Sequence, residues 1–311
     1  MARILIVTPA AAGSRTGNRH TAGRWSAMLR TAGHRVAILN EWQGERCDLL
    51  IALHAHYSHP SIRRYRDARP AAPLVVALTG TDLYRDLARG SKKARESLDL
   101  ADRILVLQSE AKRGLKKKWR GKTSVVYQSS DTKLRHNPPK RPFRVAVVGH
   151  LRKVKDPFRA VMALRHLKGD YEVVQVGGAL DPEMAVRAKR WMKREPRYRW
   201  VGSVPHAEAL RWIARSHVLV VSSLMEGGAN VICEAARIGT PVAASRVPGN
   251  IGMLGRDYPG YYRLGDEKAL ARRIGACRKG KLLPRLRTEK ARFSPAAERA
   301  ALLRAVRRHA A

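Results

Sequence analysis

Residues 222–241 read SSLMEGGANVICEAARIGTP. The apolar run Val218 to Ser222 ahead of them has the length and β-branching of a buried strand. A glycine-containing loop follows, then a helix from Val231 to Ile238, with Gly239 at the position of a C-terminal cap and Pro241 opening another strand. Gly227 and Gly228 let the backbone come close to a ligand, and the amides of Gly228, Ala229, Asn230 and Val231 at the helix start can cradle a diphosphate. Glu234, about one turn into the helix, can accept both hydroxyls of a ribose, and Glu226 in the loop can face a sugar ring. As a plain surface loop, the stretch would leave Glu226 solvated and Glu234 favouring only the helix dipole.

The same alternation continues on both sides. Arg144 to Gly149, Tyr171 to Gly177, Tyr198 to Gly202 and Pro241 to Ser245 read as further strands, with helices at Pro157 to His166, Pro182 to Arg194, Ala207 to Ser216 and Glu267 to Cys277. Upstream, SSDTKLRHNPPKRP at 129–142 is polar and Pro-rich and reads as a linker. Before it, Ile4 to Val7, Val36 to Leu39, Leu49 to Leu53, Leu74 to Leu78, Ile104 to Leu107 and Ser124 to Tyr127 form a second series of strands, and Thr21 to Ala32 is its clearest helix. Strands alternating with helices predict an α/β chain with two Rossmann-like, doubly wound domains. The expected boundaries are 1–135, a linker at 136–142, a second domain at 143–283 and a basic helical segment at 284–311, whose helix Pro295 to Arg308 docks on the body. Ligands in such sheets bind beyond the carboxyl ends of the strands, so the site is expected in a cleft between the domains.

Composition narrows the classes. Of 311 residues, 62 are Lys or Arg and 25 Asp or Glu, a formal charge of +37, yet 44% are apolar, as in a folded core. No apolar run approaches the roughly 18 residues of a membrane span, and no secretory pattern precedes Ile4, so a cytoplasmic protein is expected. Cys47, Cys233 and Cys277 are far apart and form no CxxC pair, against both a disulfide framework and a thiolate zinc site. The basic stretch KRGLKKKWRGK at 112–122 invites a nucleic-acid reading, but no zinc-finger, helix-turn-helix or aromatic RNA-binding motif accompanies it.

Three other loops carry candidate chemistry. Gly149 to Pro157 (GHLRKVKDP) follows a strand; its Arg152 and Lys155 would reach the same diphosphate and neutralise a departing nucleotide, with Gly149 and His150 beside it. Thr8 to Arg19 (TPAAAGSRTGNR) is rich in small residues, and Gly17, Asn18, Arg19, His20 and Arg24 suit a small anionic acceptor. It lacks the dinucleotide spacing Gly-x-Gly-x-x-Gly. His54 and His56 follow one strand, and Thr79 to Asp82 follow another, so His54, Thr79 and Asp82 are candidate acceptor contacts. No third ligand at a recognisable spacing completes a metal site with the two histidines, and no metal or other cofactor is expected.

Glu226 and Glu234 stand at the spacing of the Glu-x7-Glu motif, and the chain resembles the GT-B glycosyltransferases, in particular the retaining family 4 type. Gly149 to Lys155 resembles that family's Gly-Arg-Leu-x3-Lys element, with Lys155 on the Lys position and His150 in place of the Arg; Arg152 is then the substitute guanidinium. Thr79 replaces a His common in the family. The resemblance implies that Glu234 binds the nucleotide ribose, that Glu226 touches the donor sugar, and that Glu226, Lys155 and Arg152 serve catalysis. The blocks GNRHTA at 17–22, TGTDLYRD at 79–86, HLRKVKDP at 150–157, MEGGAN at 225–230, PGN at 248–250 and DYPG at 257–260 further resemble the selenosugar synthases of bacterial selenoneine biosynthesis. That likeness alone implies UDP-N-acetylglucosamine as donor and selenophosphate as acceptor. Two alternatives stand beside it: a family 4 enzyme with a sugar or lipid acceptor, and a basic nucleic-acid-binding protein on an inactive fold.

Overall fold

A computed structural model describes residues 1–13, 16–280 and 290–307. The chain divides into two compact units, Met1–Gln128 with Pro295–Ala311, and Ser129–Ser294.

The first unit runs β1 (Arg3–Val7), α1 (Gly17–Thr31), β2 (Arg35–Leu39), β3 (Leu49–Leu53), α2 (His59–Ala68), β4 (Leu74–Leu78), a π-helical turn (Asp82–Leu87), α3 (Lys92–Leu100), β5 (Arg103–Val106), α4 (Ser109–Gly114), α5 (Lys117–Arg120) and β6 (Thr123–Val125). Its six strands pair in parallel in the order β2-β1-β3-β4-β5-β6. β3 (LLIAL) and β4 (LVVAL) are buried at every position, because helices cover both faces of the sheet and leave no side of these strands to water. One face packs Trp25 and Leu29 of α1 on Ile4, Ile51 and Leu105; the other packs Ile62 and Tyr65 of α2 and Leu98 of α3 on Leu50, Val76 and Ile104.

The second unit runs β7 (Phe143–Val148), a 3-10 turn (Lys153–Lys155), α6 (Arg159–Ala163), β8 (Tyr171–Val176), α7 (Pro182–Arg194), β9 (Tyr198–Gly202), α8 (His206–Ala214), β10 (Val218–Val221), α9 (Asn230–Ile238), β11 (Val242–Ser245), α10 (Pro248–Leu254), β12 (Tyr261–Tyr262) and α11 (Glu267–Arg278). All six strands are again parallel, in the order β12-β11-β10-β7-β8-β9. From β7 the chain winds outward through β8 and β9; from β10 it winds the other way through β11 and β12. The strand order therefore reverses between β7 and β10, and loops leaving their carboxyl ends diverge around a crevice. In the first sheet the reversal lies between β1 and β3.

One segment sits differently from the sequence expectation. The Pro-rich stretch 129–142 is fastened to the second unit: the amides of His136 and Asn137 donate to the carbonyls of Ile238 and Ala214 at 3.0 and 2.8 Å, and the His136 ring bonds the Ser216 carbonyl at 2.9 Å. The first unit thus closes at Gln128 rather than near residue 135. The expected boundary at 283–284, and Arg308 at the end of the expected helix, lie outside the described residues.

Helix α12 (Pro295–Arg307) belongs to the first unit, where Leu302, Ala305 and Val306 join the cluster around Trp25. Its Glu298 is buried. Arg24 Nε lies 2.8 Å from Glu298 Oε2, and Trp25 Nε1 donates to Oε1 at 2.9 Å. A carboxylate in this position is tolerable only with those donors in place. Arg24→Ala is therefore expected to destabilise the chain by about 3 kcal/mol in denaturant unfolding, and Glu298→Gln in the same chain should recover most of that loss.

Burial also holds His136 and His217 below the ordinary histidine range, so both are neutral in the fold. An unfolded histidine takes its proton near pH 6.5. Between that value and the lower folded pKa the unfolded chain binds more protons, so stability present at neutral pH declines on acidification. The denaturation midpoint at about pH 5.5 should fall below that at about pH 7.5, and His136→Asn should flatten the difference.

Candidate functional site

The two motif loops of the second unit leave adjacent strands at the point where the strand order reverses, and side chains bind them together. Ser222, just past β10, places its hydroxyl 3.0 Å from the Lys155 carbonyl and 2.8 Å from that of Asp156. The Leu224 amide donates to the Val154 carbonyl at 2.8 Å. Asp156 adopts a left-handed backbone with φ of 43°, which turns the chain sharply after Lys155, and Arg159 Nε holds its carboxylate at 2.8 Å. This frame brings Lys155 Nζ to 2.5 Å from Glu226 Oε1, and Ser223 Oγ donates to the same oxygen at 2.5 Å. Glu226 is buried while the Lys155 side chain remains 34% exposed, so the pair presents its cationic partner to solvent.

Close backbone packing supports Glu226 from behind. A Cβ on Gly249, at the start of α10, would fall 1.9 Å from the Glu226 carbonyl oxygen. Ser245 Oγ donates to the Ser223 carbonyl at 2.7 Å, and Asn250 Nδ2 donates to the Ser245 carbonyl at 2.9 Å. The segment SRVPGN thus buttresses the loop.

Helix α9 starts at Asn230, with Ala229 at its N-cap and no side chain capping it; Gly239 closes it with φ of 95°. The positive end of the helix therefore adjoins the loop that holds Glu226. Glu234 is buried, and its Oε1 lies 2.8 Å from Nε2 of His206, the first residue of α8. Its His206 partner is 55% exposed at the side chain, so the contact lies at the surface of the site. His150 places Nδ1 3.3 Å from the Gly178 carbonyl, and a Cβ on Gly177 would meet the Gly149 carbonyl oxygen at 2.1 Å, so β8 and the loop after β7 pack backbone to backbone. Arg152 is exposed, with no ion pair or side-chain hydrogen bond among the described residues.

In the first unit, His54 follows β3 with φ of 75°, a rare backbone for a residue with a side chain. It is buried, its Nε2 lies 2.9 Å from Thr81 Oγ1, and burial lowers its pKa, which keeps the ring neutral at pH 7. His56 Nδ1 lies 2.8 Å from Ser91 Oγ. Arg19 and Asn18 are partly exposed at the start of α1, beside Gly17 and His20, and Thr79 is partly exposed after β4. Among the described residues no group of three or more His, Cys, Asp or Glu is placed to hold a metal ion.

Two expected acceptor contacts are corrected. Asp82 is fully buried and its oxygens accept from the amides of Ala55, Thr79, Gly80 and Leu83 at 2.8 to 3.2 Å, so it clamps the loops after β3 and β4 and has no capacity left for a substrate. Arg24 is committed to Glu298.

Residues 129–292 match the family described as glycosyl transferases group 1. That stretch is the second unit almost end to end. The chain belongs to the glycosyl transferases group 1 family. Glycosyltransferase 1 domain-containing protein 1 of Xenopus tropicalis is 25% identical over 269 residues, covering 77% of each chain. HepE of Anabaena, solved in complex with UDP-glucose, is similar at a TM-score of 0.79 and 16% identity over 99% of this chain and 100% of that one. Sucrose-phosphate synthase from Thermosynechococcus elongatus is similar at a TM-score of 0.77 and 17% identity, over 99% of each chain. These likenesses extend over both units, and the fold of this glycosyltransferase is GT-B.

Sequence reasoning missed His206 and Ser223 as partners of the two glutamates. A signal for the first was present: Pro205 before His206, just past a strand ending at Gly202, marks a helix start at the carboxyl end of the sheet. Ser223 had none, since a serine beside a strand end is common. Gly249 offers the sharpest structural test of the glycosyltransferase site. Gly249→Ala drives a methyl into backbone rather than into a flexible side chain, and is expected to cost about 3 kcal/mol in thermal or denaturant unfolding.

Proposed function

We propose that this glycosyltransferase moves the sugar of UDP-N-acetylglucosamine to selenophosphate, forming a 1-seleno-N-acetylglucosamine for selenoneine biosynthesis. The observation that carries the donor half is the Lys155–Glu226 pair at the reversal between β7 and β10, beside the start of α9. A nucleotide-sugar placed there has its diphosphate against the α9 amides of Gly228 to Val231, with Lys155 and the exposed Arg152 supplying positive charge. Glu234 holds the ribose, with His206 fixing one of its oxygens, and Glu226 meets the sugar. Gly149 and His150 floor the diphosphate. The nucleotide-sugar reading is supported by the UDP-glucose bound to HepE of Anabaena.

In the proposed reaction a selenium lone pair forms the C–Se bond as the anomeric C–O bond breaks, and UDP departs with that electron pair. Lys155, Arg152 and the helix amides stabilise the departing charge in place of a metal ion. Water then cleaves the Se–P bond and releases phosphate. Gly17, Asn18, Arg19, His20 and Thr79 bind the anionic acceptor, while His54, whose ring nitrogens are taken by the Tyr57 amide and Thr81 Oγ1, supports the loop after β3. Selenophosphate is already a strong nucleophile, so Thr79 in place of the family's usual His leaves the chemistry intact. The selenium assignment rests on the sequence blocks that resemble selenosugar synthases, from Gly17 to Gly260. The proposed setting is the cytoplasm, with no specific nucleic-acid partner.

Purified protein incubated with UDP-N-acetylglucosamine and selenophosphate should yield UDP and, by mass spectrometry, a selenosugar. Lys155→Ala should lower kcat by roughly 100- to 1000-fold, the scale of losing one donor to a developing charge. Glu234→Ala should act chiefly on KM for the donor. Transfer to a sugar or lipid acceptor with no selenium product would replace selenophosphate by that acceptor; nucleic-acid affinity that survives Glu234→Ala, with no UDP-sugar binding, would overturn the enzyme reading.

A further inference from the structure

The loop after β3 is fastened more firmly than a connection requires. The Ala55 amide donates to Asp82 Oδ2 at 3.0 Å, and the Ala55 carbonyl accepts from Ser97 Oγ at 2.7 Å; Asp82 and Ser97 are both fully buried. The Tyr57 amide donates to His54 Nδ1 at 3.3 Å, and the Ser58 amide to the His54 carbonyl at 3.0 Å. Between these anchored residues stands His56, whose side of the loop is partly exposed. The strand order of the first sheet reverses between β1 and β3, so a loop leaving β3 stands where open α/β sheets bind their ligands.

The hydrogen bonds of Ser91 decide what the His56 ring offers. Ser91 Oγ accepts from the Ala94 amide at 3.2 Å and lies 2.8 Å from His56 Nδ1. Its hydroxyl proton has no other acceptor among the described residues, so Oγ–H donates to Nδ1 and the neutral ring carries its own proton on Nε2. That Nε2 has no partner among the described residues and is open to solvent. Arg85, from the π-helical turn after β4, stands beside it. Its Nε and Nη2 hold Asp86 at 2.7 and 3.2 Å, and Nη2 also donates to the Tyr57 hydroxyl at 3.1 Å. Nη1 is left without an acceptor among the described residues, on a side chain that is 35% exposed. Tyr57 links the two groups: its ring meets the His56 ring edge-on at 5.1 Å between centroids, and the Arg85 guanidinium lies 6.0 Å from the Tyr57 centroid.

We propose that His56 Nε2–H and Arg85 Nη1 together bind the phosphoryl oxygens of the acceptor. The proposal rests on the reading of that acceptor as a phosphorylated nucleophile, and it adds two residues that carry the recognition. Arg85 is neutralised by Asp86, so it contributes aimed N–H groups rather than net charge. Donors that are already held in place lose little freedom on binding, and three protons from two side chains match the many lone pairs of a tetrahedral oxyanion. The anchoring, not the charge, sets this pair apart on a chain of formal charge +37.

The test follows the imidazole 15N and 1H signals of His56 in the full-length chain while thiophosphate, a tetrahedral analogue of the acceptor, is added. At about pH 8, where an ordinary imidazole is neutral, the ring should carry its proton on Nε2, and that signal should move saturably with thiophosphate. His56→Asn keeps a group at the Nδ1 position for Ser91 but has nothing at Nε2. It should raise KM for selenophosphate about tenfold or more while KM for UDP-N-acetylglucosamine stays within about twofold. His56→Gln, whose amide nitrogen reaches the Nε2 position, should recover most of that loss; Arg85→Lys, which keeps a cation on Asp86 without the second nitrogen, should raise the same KM. If no selenosugar forms, yet thiophosphate moves the His56 signal and His56→Asn abolishes its binding, the selenophosphate assignment falls and this site stands. The site is overturned if thiophosphate leaves the His56 signals in place, if the proton sits on Nδ1, if His56→Asn binds thiophosphate as the natural chain does, or if His56→Asn raises the donor KM equally.

Discussion

Lys155 and Glu226 are separated by 71 positions in the chain and by 2.5 Å in space. That contact exists because β7 and β10 lie side by side and both loops depart from the same edge. The Ser222 hydroxyl then fixes one loop against the other, and Gly249 allows α10 to close behind Glu226. Removing any of these supports would loosen a buried carboxylate from its cation. The geometry of the site is thus a property of the strand order, which sets where the loops begin, and of a few small residues, which set how closely they approach.

Positive charge is abundant in this chain, and carboxylates are the scarce resource. With 62 basic and 25 acidic residues, most cations can have no acidic partner. Each buried carboxylate accordingly has a specific task. Glu226 holds Lys155, Glu234 meets His206, Asp82 gathers backbone amides from two loops, Glu298 ties α12 to α1, and Asp86 pairs with Arg85. The high net charge, which at first points toward nucleic acid, says less about the site than the placement of these few acids does.

Much of this was legible in the sequence for physical reasons. Strands buried on both faces are apolar at every position, so Leu49–Leu53 and Leu74–Leu78 were readable to the residue, and Gly239 marked the end of α9 through a backbone that favours glycine. The loops with Glu226 and Lys155 and the helix with Glu234 were readable because glycine, charge and helix start coincide there. What escaped depends on contacts between distant segments. Arg24 and Asp82 look like binding groups from their neighbours in sequence, and only the fold brings Glu298 to the first and four amides to the second. The two-residue strand β12 and the short α10 lack any periodic pattern, and the strap at 129–142 is polar because it bonds through its backbone to the second unit.

The ownership of α12 has a consequence for synthesis. The hydrophobic face formed by Ile4, Trp25, Leu29 and Leu105 is completed by Leu302, Ala305 and Val306, which the ribosome adds only after the whole of Ser129–Ser294. The first unit to be made is therefore the last to be finished: its sheet can form early, but one side stays open until the other unit has emerged. During that interval the Trp25 surface is the part of the nascent chain most in need of shielding, and a message cut short before residue 295 would release a protein that carries it uncovered.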